Sequence, residues 1–204
     1  MDIPLGTMTL AAESPADADD GCMRRLQAGD TAALSELFER HHRLVFQYFA
    51  RLGAAPAEDL AQEVFIRVLK YQRSYRPGTQ FRPWMYTIAR NVRHTHLQRR
   101  RAEINDVSWD DAQGRDDRDA PSFIPVDNAE QAQQRHLLAR ALARLPEDKR
   151  ELLVLARYQE LDYAAIGALL GCSEGAVKVR VHRAVGALRR HFLELAEGGN
   201  DDPV

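Results

Sequence analysis

The 204-residue sequence is poor in cysteine and contains only Cys22 and Cys172. Neither residue belongs to a CxxC pair or has the cysteine and histidine neighbours that typify zinc ligands. The sequence therefore favours neither a disulfide framework nor a zinc site. We expect a reducing compartment, the cytoplasm, and no bound metal or other cofactor.

The sequence also lacks long hydrophobic runs. None approaches the ~20 apolar residues that a membrane-spanning helix needs, and the N-terminus lacks the basic-then-apolar pattern of a secretion signal. These absences predict no membrane insertion. The hydrophobic content of 45% nevertheless supports folded cores.

An excess of one charge is missing too, because the formal net charge is only −2. No overall field therefore draws the chain to nucleic acid. The charges are unevenly distributed, however: residues 82–101 contain six arginines and no acid, whereas residues 103–130 contain nine acids and two arginines. This asymmetry predicts a basic surface followed by an acidic segment.

A helix-turn-helix is predicted between Leu161 and Leu195. Asp162 is a suitable N-cap for a short first helix that ends at Gly171, and Ser173 is a suitable N-cap for the second. Apolar residues recur in the second helix at steps of three and four, which predicts one long buried stripe. They are Val177, Val181, Ala184, Val185, Leu188, Phe192 and Leu195.

The opposite face of this second helix has the composition of a DNA-reading surface. Its small residues permit close approach, Val179 and Arg183 point toward base edges, and Lys178 and Arg180 flank them as phosphate contacts. The alternative is a surface helix that is merely basic. The residues on this face and its flanks are Ser173, Gly175, Ala176, Lys178, Val179, Arg180, His182, Arg183, Gly186 and Arg190.

A different amphipathic helix is predicted from residue 57 to residue 71. Leu60, Val64, Val68 and Tyr71 form its buried stripe. An apolar Ile66 surrounded by polar residues suits a protein-docking surface, although a neighbouring helix could equally cover it. A metal or acid/base site is disfavoured, because no histidine, cysteine or third acid lies nearby. The outer face consists of Asp59, Gln62, Glu63, Ile66 and Lys70.

The following segment combines aromatic residues with cations. Residues 71–80 contain a Pro-Gly pair and predict a loop, and Pro83 fits the first turn of a helix that buries Trp84, Ile88 and Val92. Bases stack on aromatic rings while arginines follow the backbone, so the outward side suits single-stranded nucleic acid. A solvated basic helix is the alternative. The outward residues are Tyr86, Arg90, Arg93, Leu97 and Arg101, and Tyr75 and Phe81 could either stack on bases or join the core.

These patterns predict an all-α protein of two small helical domains. We expect a disordered leader at 1–21, a first domain at 22–102, a flexible acidic linker at 103–129, a helix-turn-helix domain at 130–195 and a tail at 196–204. The acidic linker should hold the two domains apart.

Three segments, in this order, resemble bacterial RNA polymerase sigma factors of the sigma-70 family. The compact build, with only regions 2 and 4 represented, resembles the extracytoplasmic-function (ECF) group. The segments are DLAQEVFIRVLK (59–70), FRPWMYTIARNVRHTHLQRRR (81–101) and LARLPEDKRELLVLARYQELDYAAIGALLGCSEGAVKVRVHRAVGALRR (142–190).

The resemblance implies a function and partners. Helix 59–70 would bind the β′ clamp helices of core RNA polymerase, helix 173–190 would read the minus-35 element of promoter DNA, and the C-terminal domain would contact the β flap. Loop 71–80 and helix 83–101 would capture unstacked minus-10 bases and assist opening, through Tyr75, Phe81, Tyr86, Arg90, Asn91, Arg93, Leu97 and Arg101. Such proteins are not enzymes and have no catalytic residues. An anti-sigma factor is a candidate partner.

Two departures from the family pattern concern DNA reading. Members often carry an acid four residues after the asparagine that corresponds to Asn91, where this chain has Thr95. The frequent recognition sequence Gly-Thr-Val-Lys-Ser-Arg is replaced by GAVKVR at 175–180, so two hydroxyls become apolar groups. Val179 can pack on a thymine methyl, and the promoter sequence that this chain reads does not follow from that of relatives.

Two other classes of protein compete with this interpretation. A helix-turn-helix transcriptional regulator acting without core polymerase would carry a receiver or ligand domain in which strands alternate with helices, but the first hundred residues have only helical periods. An enzyme acting on nucleic acid would need clustered acids or a nucleophile and base, and no such group is present.

Overall fold

The computed structural model describes residues 15–106, 129–159 and 161–198. Within these residues the chain is all-α and has no strand, which confirms the predicted fold class. Most of the predicted linker, residues 1–14 of the leader and residues 199–204 of the tail lie outside the described residues. The helices are α1 (Pro15–Gln27), α2 (Ala32–Arg51), α3 (Ala57–Tyr71), α4 (Phe81–Asp106), α5 (Ala129–Ala143), α6 (Glu147–Leu153), α7 (Tyr163–Leu170) and α8 (Glu174–Gly198), with a 3-10 turn at Gln72–Ser74 and a π-helical turn at Val154–Tyr158.

Helix α1 begins within the segment that was predicted to be a disordered leader, so this part of the prediction is wrong. Residues 15–21 are helical, and Cys22, Met23 and Leu26 in the same helix lie in the core. The carboxylate of Asp19 is also buried, 2.8 Å from Nε2 of His41. The sequence hides this helix because its first two turns are rich in Ala and Asp, and its apolar contacts begin only at Cys22.

Helices α1 to α4 form the first unit, which we call the N-terminal unit. Its core is built from the predicted stripes of α2 and α3, against which α4 packs. Helix α4 begins at Phe81 rather than Pro83 and continues to Asp106, so residues 103–106 of the predicted linker are helical. The largest completely buried side chains of this unit include Met23, Leu26, Leu37, Tyr48, Phe49, Met85 and Tyr86.

Helices α5 to α8 form the C-terminal unit and contain the predicted helix-turn-helix. The Asp162 carboxylate accepts the Ala165 N–H at 2.6 Å, and the Ser173 hydroxyl accepts the Ala176 N–H at 3.2 Å. Gly171 ends α7 with a φ of +67°, the left-handed conformation that glycine adopts without steric cost. The caps and turn are therefore as predicted, whereas Val185 is 40% exposed and does not belong to the buried stripe.

The two units pack against each other, so the expectation that a linker holds them apart is wrong. The turn Val154–Tyr158 contacts α2, and α7 contacts α4. The physical reason is visible in four consecutive buried residues, 152–155. Four adjacent helical residues point in all directions around the axis, so this segment must be covered on more than one side.

The close approach of α7 to the turn that follows it allows a test of the helix-turn-helix. A Cβ added to Gly167 would lie 2.6 Å from the carbonyl oxygen of Cys172. We predict that Gly167→Ala lowers the free energy of unfolding by about 1–3 kcal/mol, because the backbone must shift. Urea unfolding followed by circular dichroism measures the change.

Gly186→Ala is the matched control, because a Cβ there meets nothing within 4 Å. This change within α8 should be neutral or stabilise by up to about 1 kcal/mol. Equal unfolding midpoints for the two variants would contradict the close approach.

Candidate functional site

Helix α3 presents an exposed apolar surface with a polar rim. Ile66 is 60% exposed, and Leu69 and Tyr71 are also exposed. No described residue covers Ile66, which leaves the docking interpretation in place. Tyr71 was predicted to be buried but is exposed at the end of α3, whereas Phe65, which the predicted stripe did not include, is buried.

The polar rim of this surface is partly ordered by its own contacts. Nε of Arg67 donates to the Glu63 carboxylate at 2.7 Å, one turn apart. The Lys70 ammonium lies 5.4 Å from the centre of the Tyr71 ring. Asp59 and Gln62 are exposed on the same helix. The five residues predicted for this surface therefore all lie on accessible parts of α3, with Glu63 half-buried.

The aromatic residues near the start of α4 form a cluster beneath the loop that precedes this helix. Tyr75 and Phe81 are each 2% exposed, and their rings both contact Trp84 at centroid distances of 5.3 and 5.9 Å. Trp84, which the sequence assigned to the core, is only half-buried. It lines a cavity of about 580 Å³ together with Thr79 and Gln80.

This cavity identifies a residue that sequence reasoning missed. Tyr75 and Phe81 are buried, whereas Trp84 is only half-buried and lines the cavity. The opposite wall of the cavity is α7, from Asp162 to Leu169. The available stacking surface thus depends on the Trp84 ring and on the gap between the two units.

The middle of α4 faces the C-terminal unit rather than solvent. Tyr86 is fully buried and donates its hydroxyl hydrogen to the side chain of Gln159. Arg93 is 8% exposed and lies 2.6 Å from Glu147. The predicted outward orientation of Tyr86 and Arg93 is therefore wrong, because the partner of this face is protein. Asn91 and Arg101 are exposed, and Leu97 is half-buried.

Glu151 is the acceptor at the centre of the interface between the units. Its Oε1 accepts the Tyr48 hydroxyl at 2.7 Å and Nε of Arg90 at 2.9 Å, and only 8% of Glu151 is exposed. Arg90 also donates through Nη1 to the carbonyl of Leu169 at 2.6 Å. Burial, with the Glu151 charge beside it, raises the pKa of Tyr48 well above its ordinary value of 10.0. The phenol therefore stays protonated and donates.

The outward face of α8 is accessible, as predicted. Val179 is 50% exposed, and Lys178, Arg180, His182, Arg183 and Arg190 are exposed around it. Ser173 is exposed at the start of the helix. Arg180 and Arg183 also line a cavity of about 500 Å³ that reaches Arg90 across the interface.

In the parts of the chain that the structure describes, no group of three or more His, Cys, Asp or Glu residues is placed to hold a metal ion. None of the described helices is long and apolar enough to cross a membrane.

Two family models match the chain, and each covers one unit. "Sigma-70 region 2" matches residues 37–103, from α2 into α4. "Sigma-70, region 4" matches residues 135–188, which include the helix-turn-helix. The order of the two matches along the chain is that of the two structural units.

Full-length relatives agree with the family models. The chain is 37% identical over 175 residues to the RNA polymerase sigma factor CarQ of Myxococcus xanthus, covering 85% of this chain and 97% of CarQ. It is 34% identical over 175 residues to the ECF RNA polymerase sigma factor SigL of Mycobacterium tuberculosis, covering 82% of this chain and 93% of SigL.

Two solved structures have the same fold. CnrH, solved in complex with the cytosolic domain of CnrY, matches with a TM-score of 0.62 and 23% identity over 91% of this chain and all of CnrH. The sigma factor RpoE of Bartonella quintana, solved with the anti-sigma factor NepR, matches with a TM-score of 0.56 and 24% identity over 79% of this chain and 97% of RpoE.

The interface contacts predict the effect of removing Glu151. Glu151→Ala leaves the buried Tyr48 hydroxyl and the Arg90 guanidinium without their acceptor, so the free energy of unfolding should fall by about 1–3 kcal/mol. Urea denaturation measures this loss, and small-angle X-ray scattering should show a larger radius of gyration.

The control is Glu194→Ala, which removes two exposed contacts within the C-terminal unit, with Arg144 at 3.8 Å and with His191 at 3.3 Å. Its cost should be below about 1 kcal/mol, with no change in the radius of gyration. If Glu194→Ala and Glu151→Ala behave alike, Glu151 does not hold the units together.

Proposed function

This chain belongs to the sigma-70 family of RNA polymerase sigma factors and to its ECF group, and we propose which of its surfaces perform the three tasks of such a factor. A sigma factor binds core RNA polymerase, directs it to promoters and assists their opening. The observation that carries the proposal is the exposed Ile66 on α3, in a unit distinct from the helix-turn-helix. A DNA-binding regulator that acts without core polymerase needs no surface for it.

The α3 surface is proposed to bind the β′ clamp helices of the polymerase. Interface centres combine a well-buried apolar anchor with a polar rim that excludes water. Ile66 supplies the anchor, and Leu69 widens it. Asp59, Gln62, Glu63 and Lys70 supply the rim.

The loop at 72–80 and helix α4 are proposed to hold unstacked minus-10 bases. Trp84 offers the accessible ring on which a base can stack, and arginines follow the phosphates. Arg90 and Arg93 are held by Glu151 and Glu147 in the packed arrangement. We therefore propose that the two units separate on the promoter, where phosphates replace these carboxylates as partners of the two guanidinium groups.

The outward face of α8 is proposed to read the minus-35 element in the major groove. Val179 and Arg183 would contact base edges, and Lys178, Arg180, His182 and Arg190 would contact phosphates beside them. Ser173 caps the helix, so it would support this geometry. The rest of the C-terminal unit would contact the β flap.

Three further assignments accompany this function. The chain is proposed to act in the cytoplasm and to catalyse no reaction. RpoE and CnrH were solved with the anti-sigma factor NepR and with the cytosolic domain of CnrY, respectively. By analogy, we propose that an anti-sigma factor also regulates this chain.

Association with core polymerase separates this proposal from a regulator that acts alone. The purified chain should co-elute with core RNA polymerase in size-exclusion chromatography and support run-off transcription from a promoter of its own. Tight binding to promoter duplex without any association with core would contradict the proposal.

Replacing the anchor of α3 should abolish core binding. Ile66→Asp puts a charge where water would be excluded, and we predict a loss of at least about 2 kcal/mol in binding free energy. Circular dichroism should be unchanged, because Ile66 is exposed. Ser35→Asp, which adds a charge at an exposed position of α2, should bind core normally; if both variants bind normally, α3 is not the interface.

Replacing Arg183 should weaken recognition of the minus-35 element. For Arg183→Ala in the holoenzyme, we predict a loss of about 1–3 kcal/mol and relaxed specificity at one base pair. Lys178→Ala should instead weaken binding to all DNA sequences about equally. It should also lower the number of counterions released on binding by about one, which the salt dependence of the affinity reports. Fluorescence anisotropy on duplex promoter DNA measures both, and an unchanged affinity for Arg183→Ala would remove that residue from base contact.

A further inference from the structure

Hydrogen bonds within the loop between α3 and α4 fix its turns. The Tyr75 N–H donates to the Gln72 carbonyl and the Thr79 N–H to the Arg76 carbonyl, both at 3.1 Å. The hydroxyls of Ser74, Tyr75 and Thr79 add bonds to the carbonyls of Tyr71, Thr79 and Arg76, respectively. Because all these bonds are local, the position of the loop relative to the other helices needs contacts from elsewhere.

Gln27, the last residue of α1, holds the first half of the loop. Its Nε2 donates to the Gln72 carbonyl at 2.7 Å and to the Tyr75 carbonyl at 2.9 Å. The amide has two N–H groups, so it serves both carbonyls at once. The beginning and the end of the 3-10 turn are thereby fixed to one side chain.

Asp20, two turns earlier in α1, holds the second half. Its Oδ1 accepts the Gly78 N–H at 2.9 Å and lies 3.1 Å from the Tyr75 hydroxyl. The Gly78 hydrogen bond is the main reason that the pKa of Asp20 is lower than its ordinary value of 3.8. The carboxylate is therefore ionised at neutral pH, and this contact is lost only as the pH falls through that lowered pKa.

Helix α1 is itself a rigid support. Asp20 and Gln27 are seven residues apart and so share one face of the helix. Between them, Cys22, Met23 and Leu26 are anchored in the core. Movement of the loop tip relative to α2 and α4 is thus resisted through this helix.

We propose that Asp20 and Gln27 are positioning residues that hold the loop 72–80 in the conformation that accepts minus-10 bases. This inference rests on the proposed role of the loop. Both residues precede position 37, where the match to sigma-70 region 2 begins. The segment 15–27 would therefore add a support for DNA recognition that lies outside the matched region.

The test uses the holoenzyme, formed from the full chain and core RNA polymerase, on a library of promoter duplexes randomised through the minus-10 window. Enrichment of bound and transcribed sequences reports base selectivity. In Asp20→Ala and in Gln27→Met, selectivity within this window should fall about tenfold, the equivalent of one hydrogen bond to a charged or fixed group. Binding to core polymerase and selectivity at the minus-35 element should stay unchanged.

Two further variants and one direct measurement separate positioning from general loss of structure. Asp17→Ala, at an exposed position of α1, should behave as the unmodified chain. Asp20→Asn keeps an acceptor for Gly78 and should restore most of the selectivity. Hydrogen exchange at the Gly78 amide should accelerate in Asp20→Ala and not in Asp17→Ala.

The outcomes distinguish the inference from the function on which it rests. If the unmodified holoenzyme enriches no sequence in the window, the proposed role of the loop fails. If it does, and Asp20→Ala and Gln27→Met enrich the same sequences equally well, the positioning role is wrong. If circular dichroism shows that Asp20→Ala disrupts α1, Gln27→Met, which removes the contacts with the first half of the loop, tests the positioning role instead.

Discussion

The buried carboxylate of Glu151 is the constraint on which the arrangement of the two units depends. It belongs to α6, yet its hydrogen-bond donors are Tyr48 of α2 and Arg90 of α4. A carboxylate removed from water must keep such partners, because an unpaired buried charge costs several kcal/mol. Few relative orientations of the two units satisfy all three groups. The same orientation places Tyr86 against Gln159 and covers the centre of α4.

If α4 binds the minus-10 bases as proposed, the C-terminal unit and the promoter compete for Arg90 and Arg93, which now pair with Glu151 and Glu147. Guanidinium groups bind carboxylates and phosphates with similar geometry, so Arg90 and Arg93 can exchange one for the other. The faces proposed for core binding and for the minus-35 element remain exposed meanwhile. In the proposed sequence of events, the chain meets the polymerase through α3 while the surface proposed for promoter melting is still covered. The free energy of separating the units is then offset by the phosphate and base interactions that form on the promoter.

Sequence patterns predicted the helix caps and turns, because these depend on residues that are neighbours in the sequence. The caps at Asp162 and Ser173 and the turn at Gly171 followed from capping rules. Periodicity placed Ile66 on the outer face of α3 but left open whether a neighbouring helix covers it. Helix α1 was missed because its apolar residues are few and late. The packing of the units was missed because it rests on Glu151, a residue whose partners lie 61 and 103 positions away in sequence. Only the run of apolar residues at 152–155 indicated that this helix is covered on several sides.

We propose that the two units are closed on each other in the free chain and separate on the promoter. Single-molecule energy transfer between labels at the exposed Glu39 of α2 and the exposed Leu193 of α8 measures this most directly. The free chain should show one narrow distance distribution, which shifts to longer distances in the complex with core polymerase and promoter DNA. In Glu151→Ala the free chain should already sample the longer distances. An identical distribution for the free chain and the promoter complex would contradict the account.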